Sequence, residues 1–364
     1  MDEEATLLER LRAQGISRRA FLKYCAGLAS MMALPPAMAP RIAEALEKAG
    51  RPAVIWLSFQ ECTACTESLT RSFNPTLENL IFNAISLDYH HTLQAAAGEQ
   101  AEAARRASME HNRGKYILVV EGSVPARDGG ACSTIAGISN LEMLKEVAAG
   151  AAAIVSVGTC ASFGGLPHAR PNPTGAMAVA DLLPDRTVVH VPGCPPIPVV
   201  ISGVIAHVLT FGKVPELDEL GRPRVFYGKT IHDRCYRRPF YDRNLFARSF
   251  DDEGARNGWC LYELGCKGPT TRNACATEKW NQGTSFPIQS GHPCLGCSEP
   301  DFWDAGSFYQ PLTAPPVDVA KWVAPALGAG LAAGAGLGLA NRLRQARATR
   351  DRQPLTADDL KEGD

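Results

Sequence analysis

Residues 53–65 read AVIWLSFQECTAC, an uninterrupted apolar run that leads into two cysteines spaced as Cys-x-x-Cys. A run that lacks polar alternation and is rich in Val and Ile predicts a strand covered on both faces, as in a parallel sheet. Three later runs have the same character, at 116–121, 152–158 and 187–191. Helix-like stretches lie between the strands, at 77–86, 93–106 and 140–149. This alternation predicts an α/β fold with a doubly wound parallel sheet.

Cysteines follow three of these four predicted strands: Cys62 and Cys65 follow the first, Cys160 the third and Cys194 the fourth. Because the carboxyl ends of parallel strands lie at one edge of a sheet, we expect the four thiols to meet there. Four converging thiolates can hold a [4Fe–4S] cluster. Zinc, disulfides and a thioredoxin-like redox pair are the alternatives, and the two cysteines beyond the Cys-x-x-Cys favour a metal or a cluster.

The strand–helix alternation stops at Val225, and residues 230–312 are rich in Gly, Pro, Asn, Trp and Tyr. With so little continuous apolar sequence, this segment is expected to be organised by bound cofactors. It holds two sets of potential ligands, His232, Cys235, Cys260 and Cys266, and then Cys275, Cys294 and Cys297. Structural zinc normally takes four ligands, so the set of three suits an iron–sulfur cube that lacks one iron corner. Two zinc sites are the alternative for this segment.

The composition of the 364-residue chain is nearly charge-balanced, with 37 basic and 38 acidic side chains and a net charge of −1. Nucleic-acid-binding proteins usually carry a strong basic excess, so the balance argues against a nucleic acid partner. The 12 cysteines are too many for a typical cytosolic enzyme and too sparse for a small disulfide scaffold. Cys25 and Cys132 lie outside the predicted ligand sets.

The N-terminus has the pattern of an export signal. Residues 17–23 read SRRAFLK and precede an apolar stretch at 24–39. Paired arginines before a weakly hydrophobic run predict a twin-arginine signal peptide over residues 1–45, and the small residues Ala43 and Ala45 suit cleavage before Leu46. Cys25 would then be absent from the mature protein. An ordinary amphipathic helix with a dibasic surface pair is the alternative.

The C-terminus contains a stretch, 322–340, that has no charged residue and is about as long as a helix that crosses a bilayer. Arginines follow it closely, within residues 342–352, and positive residues stay in the cytoplasm. The pattern predicts a transmembrane anchor at 317–341, a cytoplasmic tail at 342–364 and a globular part outside the cytoplasm. A buried Gly/Ala helix of a soluble core is the alternative.

Several motifs resemble those of nickel–iron hydrogenase small subunits. CTACTES at 62–68, GTCASFGG at 158–165 and PGCPP at 192–196 resemble the motifs that hold the proximal cluster of that family. IHDRCYRR at 231–238, GCKGP at 265–269 and GHPCLGC at 291–297 resemble its distal and medial motifs. The match covers nearly the whole chain, which is most similar to the membrane-bound respiratory uptake type.

The resemblance implies a flavodoxin-like domain at 46–225 with a proximal cluster, and an irregular domain at 226–312 with a medial and a distal cluster. The cofactors would be two [4Fe–4S] clusters and one [3Fe–4S] cluster. Their ligands would be Cys62, Cys65, Cys160 and Cys194 for the proximal [4Fe–4S] cluster, Cys275, Cys294 and Cys297 for the medial [3Fe–4S] cluster, and His232, Cys235, Cys260 and Cys266 for the distal [4Fe–4S] cluster. Pro287 stands where relatives with a four-iron medial cluster have a cysteine.

In this family hydrogen is split on a separate large subunit that carries the nickel–iron site, so the resemblance implies no catalytic residue on this chain. It implies that electrons pass from the proximal to the medial to the distal cluster. They would then reach a membrane cytochrome b or another quinone-reducing subunit. The chain would be anchored in the lipid bilayer of the inner membrane, with its globular part on the periplasmic side.

The chain departs from the oxygen-tolerant branch of the family, which has extra cysteines at the positions of Ala64 and Gly165. Cys132 has no role in the family pattern, and we expect a buried, inert thiol there. Two other functions remain open. One is the single-cluster subunit of a quinone-linked dehydrogenase, although such subunits lack the segment 232–297, and the other is a zinc-organised periplasmic adaptor.

Overall fold

The computed structural model describes residues 18–32, 34–48, 51–73 and 76–312. All of them belong to one compact unit that ends at Leu312. The predicted anchor at 317–341, the predicted tail and residues 1–17 of the predicted signal peptide lie outside the described residues. Within the described ranges, no helix combines the length and the apolar character that crossing a membrane requires.

A five-stranded parallel sheet forms the centre of the structure. Its strands in chain order are β1 (Ala53–Ser58), β2 (Ser86–His90), β3 (Ile117–Glu121), β4 (Ala153–Val157) and β5 (Val188–Val191). They lie side by side in the order β2-β1-β3-β4-β5, with every neighbouring pair parallel. That is the strand order of flavodoxin-like doubly wound folds, so the predicted α/β architecture with a parallel sheet is confirmed.

The sheet is flanked by longer helices, and the local sequence explains the ends of two of them. They are α1 (Arg18–Met31), α2 (Ala39–Lys48), α3 (Ala64–Thr70), α4 (Gly98–His111), α5 (Asn140–Ala149) and α6 (Pro198–Phe211). Ser139 and Glu142 form a capping box at the start of α5. Pro198 begins α6, where its missing N–H needs no partner, and Gly212 ends it with φ 60°.

Shorter elements connect these helices and strands. The helical segments are Pro36–Met38, Leu77–Asn79, Leu80–Ala84, Arg127–Gly130, Thr159–Phe163, Gly165–His168, Val179–Leu182, Arg224–Tyr227, Ile231–Arg234, Arg238–Tyr241, Glu253–Arg256 and Tyr262–Leu264. Two-residue strands pair antiparallel, Val124–Pro125 with Ala176–Met177 and Thr134–Ile135 with Ile138–Ser139. Beyond α6 the described chain forms only single helical turns and isolated bridges, so the predicted end of the alternation is confirmed.

Alternate residues of the central strands feed two apolar cores. Val54 and Trp56 of β1 belong to one core, and Ile55 and Leu57 belong to the other. Helices α3 and α6 cover the first face, together with α1 and α2, which pack against α6. Helices α4 and α5 cover the second face. Because both faces are covered, the inner strands are largely apolar rather than alternating.

The region between β1 and β3 differs from the prediction. The helix expected at 77–86 is confirmed through Ala84, as the helix Leu77–Asn79 followed by the π-helix Leu80–Ala84, and only its last two residues are wrong, because the chain enters β2 at Ser86. β2 lies at the edge of the sheet, and its first three residues are half-exposed. It therefore lacks the continuous apolar run that marks the inner strands. The helix expected at 93–106 is α4, which begins and ends five residues later.

Candidate iron–sulfur cluster sites

The four cysteines of the expected proximal set lie at the carboxyl edge of the sheet. Cys62 and Cys65 follow β1, Cys160 lies in the helical turn after β4, and Cys194 follows β5. Cys62 and Cys194 are exposed, whereas Cys65 and Cys160 are half-buried. Burial raises the pKa of Cys65 well above its usual value, and the charges of Glu121 and of the other three thiols add to the effect. The structure thus brings together the set that the strand pattern predicted.

Two glycines make room for the sulfur atoms of this set. Gly158 has φ 89°, and a Cβ built there would collide with the Cys65 sulfur. Gly165 has φ 54°, and its Cβ would lie 2.6 Å from the Cys160 sulfur. Each position combines the left-handed backbone that favours glycine with a sulfur atom packed against that backbone. The glycines therefore keep free the space that a bulky group at this edge would need.

Glu121, the last residue of β3, anchors the turn that carries Cys65. Its buried carboxylate accepts hydrogen bonds from the backbone N–H groups of Cys65 and Thr66, both at 3.0 Å, and from the Thr66 hydroxyl at 2.5 Å. It also accepts from the Trp56 indole at 3.1 Å. N–H groups at the start of a helix lack intrahelical partners, so this carboxylate fixes the first turn of α3. In the sequence, Glu121 is marked only as a lone acid at the end of the apolar run ILVVE, so no local pattern predicts this role.

His90 extends the same network. Its Nδ1 accepts hydrogen bonds from the backbone N–H groups of Thr92 at 3.1 Å and Leu93 at 3.3 Å. The proton of the neutral ring therefore sits on Nε2, which lies 3.3 Å from the Thr66 hydroxyl. Burial lowers the pKa of His90 to about 4. The imidazole stays neutral near pH 7 and, through Thr66, helps to hold the Glu121 carboxylate beside Cys65.

The three cysteines of the expected medial set share one cavity. Cys275, Cys294 and Cys297 line a space of about 190 Å³, and Pro287 forms part of its wall. Burial raises the pKa of Cys275 well above its usual value, and the charges of Cys297 and Cys294 add to the effect. Bare thiolates in such a place would be costly, whereas cationic iron would compensate their charge. The chemistry of the cavity therefore suits a metal cluster with thiolate ligands.

The cysteines of the expected distal set also lie together. Burial raises the pKa of Cys260 to about 11, and the charges of Cys266 and Cys235 add to the effect. His232 lies in the helical turn just before Cys235, and its ring packs edge-on against Tyr241, with the centroids 4.5 Å apart. Among the described contacts, none joins this imidazole to the three thiols, so its role as a ligand stays a prediction. Likewise, no three His, Cys, Asp or Glu side chains in the described ranges are arranged to hold a single metal ion.

The medial set touches both of the others. Cys194 of the proximal set lines the medial cavity together with Cys297. The N–H of Lys267, the neighbour of Cys266 in the distal set, donates to the carbonyl of Cys294 at 2.7 Å. Burial raises the pKa of the Cys297 and Cys266 thiols. The three sets are connected in series.

Thr159 reinforces the contact between the proximal and medial sets. Its hydroxyl accepts a hydrogen bond from the N–H of Gly193 at 2.9 Å. The same hydroxyl donates to the carbonyl of Cys297. Because Gly193 precedes Cys194, this one side chain fixes the two loops that carry cysteines of different sets. No local pattern predicts this role of Thr159, because its partner Cys297 lies 138 residues away.

The two remaining cysteines lie in different environments. Cys132 is exposed, so the expectation of a buried thiol is wrong. The stretch around it, residues 127–134, reads RDGGACST and has no apolar pattern that would bury it. Cys25 is buried in α1, with 0% of its surface exposed.

Two family models match the chain over ranges that coincide with the ligand sets. The model described as NADH ubiquinone oxidoreductase, 20 Kd subunit, matches residues 62–208. The model for the C-terminal part of NiFe/NiFeSe hydrogenase small subunits matches residues 227–310. The first range contains the four cysteines of the sheet edge. The second contains His232 and all the cysteines of the medial and distal sets.

Relatives match over nearly their full length. The chain is 51% identical over 340 residues to the uptake hydrogenase small subunit of Azotobacter vinelandii, which covers 93% of this chain and 95% of the relative. It is 53% identical over 308 residues to the uptake hydrogenase small subunit of Cupriavidus necator, with 85% and 86% covered. The chain belongs to the nickel–iron hydrogenase small subunits.

Solved structures of this family share the fold. A [NiFeSe]-hydrogenase chain from Desulfomicrobium baculatum is 35% identical, with a TM-score of 0.68 over 72% of this chain and 100% of that one. A chain of the [NiFeSe] hydrogenase from Desulfovibrio vulgaris Hildenborough is 38% identical, with a TM-score of 0.67 over 72% and 99%. As a hydrogenase small subunit, the chain is the iron–sulfur, electron-transferring partner of a nickel–iron large subunit. The hydrogenase match at 227–310 sets aside the single-cluster dehydrogenase subunit.

Replacing Gly158 by alanine tests the space at the sheet edge. Gly114→Ala is the matched control, because Gly114 also has a positive φ, 76°, but an added Cβ there meets no atom within 4 Å. Both variants place a side chain in the left-handed region, at a cost of roughly 1 kcal/mol. Only Gly158→Ala pushes against the Cys65 sulfur. We expect Gly158→Ala to lose about one cluster's iron, measured per purified chain, and Gly114→Ala to keep it. Full iron content in both variants would show that Gly158 does not bound a cluster site.

Proposed function

We propose that the chain carries electrons singly from the nickel–iron site of its large subunit, through a proximal, a medial and a distal cluster, to an acceptor in the membrane. The observation that carries this proposal is the order of the three sets, because the medial set adjoins both Cys194 of the proximal set and the loop of Cys266 of the distal set. When bound, each cluster would accept and release one electron, with the charge spread over several irons. The residues of this chain would keep the clusters in order and largely away from water.

The ligand sets fit iron–sulfur clusters in chemistry and in space. Burial raises the pKa of Cys160 and of Cys260 to about 11, so without iron these thiols keep their protons at neutral pH. Iron binding would release those protons, since thiolates are the ligands of such clusters. The glycines at 158 and 165 and the cavity around Cys275 supply the room.

The number of ligands supports the type of each cluster. The proximal set and the distal set have four members each, which suits two [4Fe–4S] clusters. The medial set has three cysteines, and the neighbouring wall of its cavity is Pro287, whose side chain has no ligand atom. A [3Fe–4S] cluster therefore fits the medial cavity.

Metal content tests the proposed cofactors. The mature chain, purified without oxygen, should contain about eleven irons, four for each of two cubes and three for the medial cluster. It should contain no stoichiometric zinc. Elemental analysis against protein concentration gives the result directly. About two zincs per chain with little iron would instead support the zinc-organised alternative.

Pro287→Cys tests the vacant corner of the medial cluster. A thiolate on the cavity wall should complete a fourth iron site, so a [4Fe–4S] cluster should form in place of the [3Fe–4S] cluster. The changed type and net charge should lower the medial potential. Electron paramagnetic resonance of the oxidised protein provides the measurement, because the sharp signal of oxidised [3Fe–4S] should disappear. Pro300→Cys is the control, since Pro300 lies outside the medial cavity. An unchanged signal in Pro287→Cys with full iron would mean that Pro287 does not adjoin the cluster.

The two ends of the chain support a proposed location in the inner membrane, with the globular part in the periplasm. The paired arginines at 18 and 19 and the uncharged stretch at 322–340 carry this proposal. The acceptor would be a membrane cytochrome b or another quinone-reducing subunit, next to the anchor. Ala64 and Gly165 supply no extra thiolates, so the proximal cluster would be an ordinary cube.

Two changes at the ends test this topology. Replacing Arg18 and Arg19 together by lysine should leave unprocessed precursor in the cytoplasm, because the twin-arginine route reads that pair. Deleting residues 317–364 should release a soluble periplasmic enzyme. Cell fractionation, with an antibody to the globular part, shows where each of the two variants is located. If the truncated form stays as tightly bound to membranes as the intact chain, the C-terminal stretch is not the anchor.

A further inference from the structure

Helix α6 has no polar side of its own. Its sequence, PVVISGVIAHVLTF, is apolar around the whole helix, and nearly every residue is buried. A helix of this kind must be covered on all sides. The sheet covers one side, where α6 shares a core with Val189 and Val191 of β5. Helices α1 and α2 pack against α6 as well and belong to the same core.

Residues 18–32 and 34–48, here called the N-terminal hairpin, cover α6 with an apolar face. In α1, Phe21, Cys25 and Ala29 recur every four residues and are at most 1% exposed. In α2, Ile42 is 0% exposed. Leu22, the neighbour of Phe21, is exposed. The hairpin therefore binds α6 as an amphipathic surface and not as a loose tail.

The proposed processing would remove most of this cover. The expected cleavage point, before Leu46, lies inside α2, and Ala43 is only 6% exposed. Loss of residues 1–45 would leave the covered part of α6 without a partner. Large exposed apolar patches on a soluble protein mark interaction sites. The mature chain therefore needs another occupant for this surface.

The start of α6 lies next to the proximal cysteines. α6 begins four residues after Cys194, and α3, which carries Cys65, packs against it. The Ser68 hydroxyl of α3 donates to the carbonyl of Pro196 at 2.6 Å, just before α6. Cys62 and Cys194 are exposed at this edge. Because electrons would enter there, the large subunit must lie against this edge, from which α6 runs on.

We propose that the part of α6 under the N-terminal hairpin is a docking surface for the large subunit. The hairpin covers this surface until the large subunit displaces the hairpin. The inference rests on the proposed function, since it requires a large subunit at the proximal edge and removal of residues 1–45. During folding, the hairpin buries the apolar surface of α6. The large subunit then takes over the same apolar contacts and frees the segment that contains the cleavage point.

Cys25 provides a natural reporter of this exchange. The test uses full-length, cluster-loaded precursor with Cys132→Ser, which removes the exposed thiol outside the ligand sets. Labelling of Cys25 by iodoacetamide, followed by mass spectrometry, should be slow in the precursor alone and roughly 100-fold faster once the nickel–iron large subunit is bound. That factor corresponds to about 2.7 kcal/mol of lost protection. Cys25 that stays unlabelled in the assembled complex would overturn the proposal.

Two neighbouring substitutions in α1 compare its buried face, which packs against α6, with its exposed face. Phe21→Asp should expose Cys25 to iodoacetamide without the large subunit and should speed association with the large subunit. Leu22→Asp, on the exposed side, should leave both rates unchanged. The iron content of each variant shows whether the chain has folded. A wild-type chain without iron would contradict the proposed cofactors, not the proposed docking surface. Equal association rates for the two variants would contradict the proposal.

Removal of residues 1–45 provides a third test of the docking surface. Amide hydrogen exchange at residues 198–211 should be faster in this shortened, cluster-loaded chain than in the precursor, and the large subunit should restore the slow rate. A stable dimer of the shortened chain that the large subunit does not dissociate would assign the surface to a second copy. That result would also overturn the proposal.

Discussion

The hydroxyl group of Thr159 holds together the two parts of this protein. It accepts from Gly193 in the loop after β5 and donates to the carbonyl of Cys297 in the irregular segment. Cys194 lines the cavity that contains Cys297. The ion pairs of Arg222 with Glu299 and of Arg170 with Asp304 also join the sheet region to this segment. Electron transfer depends on the separation of the cysteine sets, so the function of the chain depends on this joint.

Negative charge at the sheet edge is the second constraint. Four thiols lie there with the Glu121 carboxylate, which the Trp56 indole and the backbone N–H groups of Cys65 and Thr66 hold in place. Burial raises the pKa of Cys65, Cys160 and Cys194, so these thiols keep their protons without iron. Iron would compensate the negative charge that remains when the protons leave. The same charge would then influence the potential of the cluster, since net charge and hydrogen bonds to the ligands set it. One carboxylate at the end of β3 thereby connects the stability of the edge to its redox chemistry.

The sequence allowed the inner strands and the cysteine sets to be predicted because both have simple marks. Strands covered on both faces are largely apolar, and their carboxyl ends share one edge, so the convergence of Cys62, Cys65, Cys160 and Cys194 followed from topology alone. β2 has no such mark, because its first three residues are half-exposed and polar residues interrupt its sequence SLDYH. Cys132 was misjudged because a cysteine without a role was assumed to be buried, whereas its glycine-rich surroundings keep it at the surface.

Long-range contacts could not be predicted in the same way. Thr159 meets Cys297, and Glu121 meets Trp56 and the first turn of α3, across separations that no local pattern records. The packing of α1 against α6 was also hidden, because residues 18–32 have the pattern of a removable export signal. The composition of α6 shows that this helix must be covered on all sides, because it is apolar all round. Only the structure shows which segment covers it.

X-ray diffraction at the iron absorption edge, from crystals of the assembled hydrogenase, tests most directly whether three clusters lie in series on this chain. The anomalous map should show three separate iron peaks on this subunit. One should lie beside Cys62, Cys65, Cys160 and Cys194, one in the cavity of Cys275, Cys294 and Cys297, and one beside Cys235, Cys260 and Cys266. The second peak should lie between the other two. Fewer than three iron peaks, or peaks that appear at the zinc edge instead, would contradict the account.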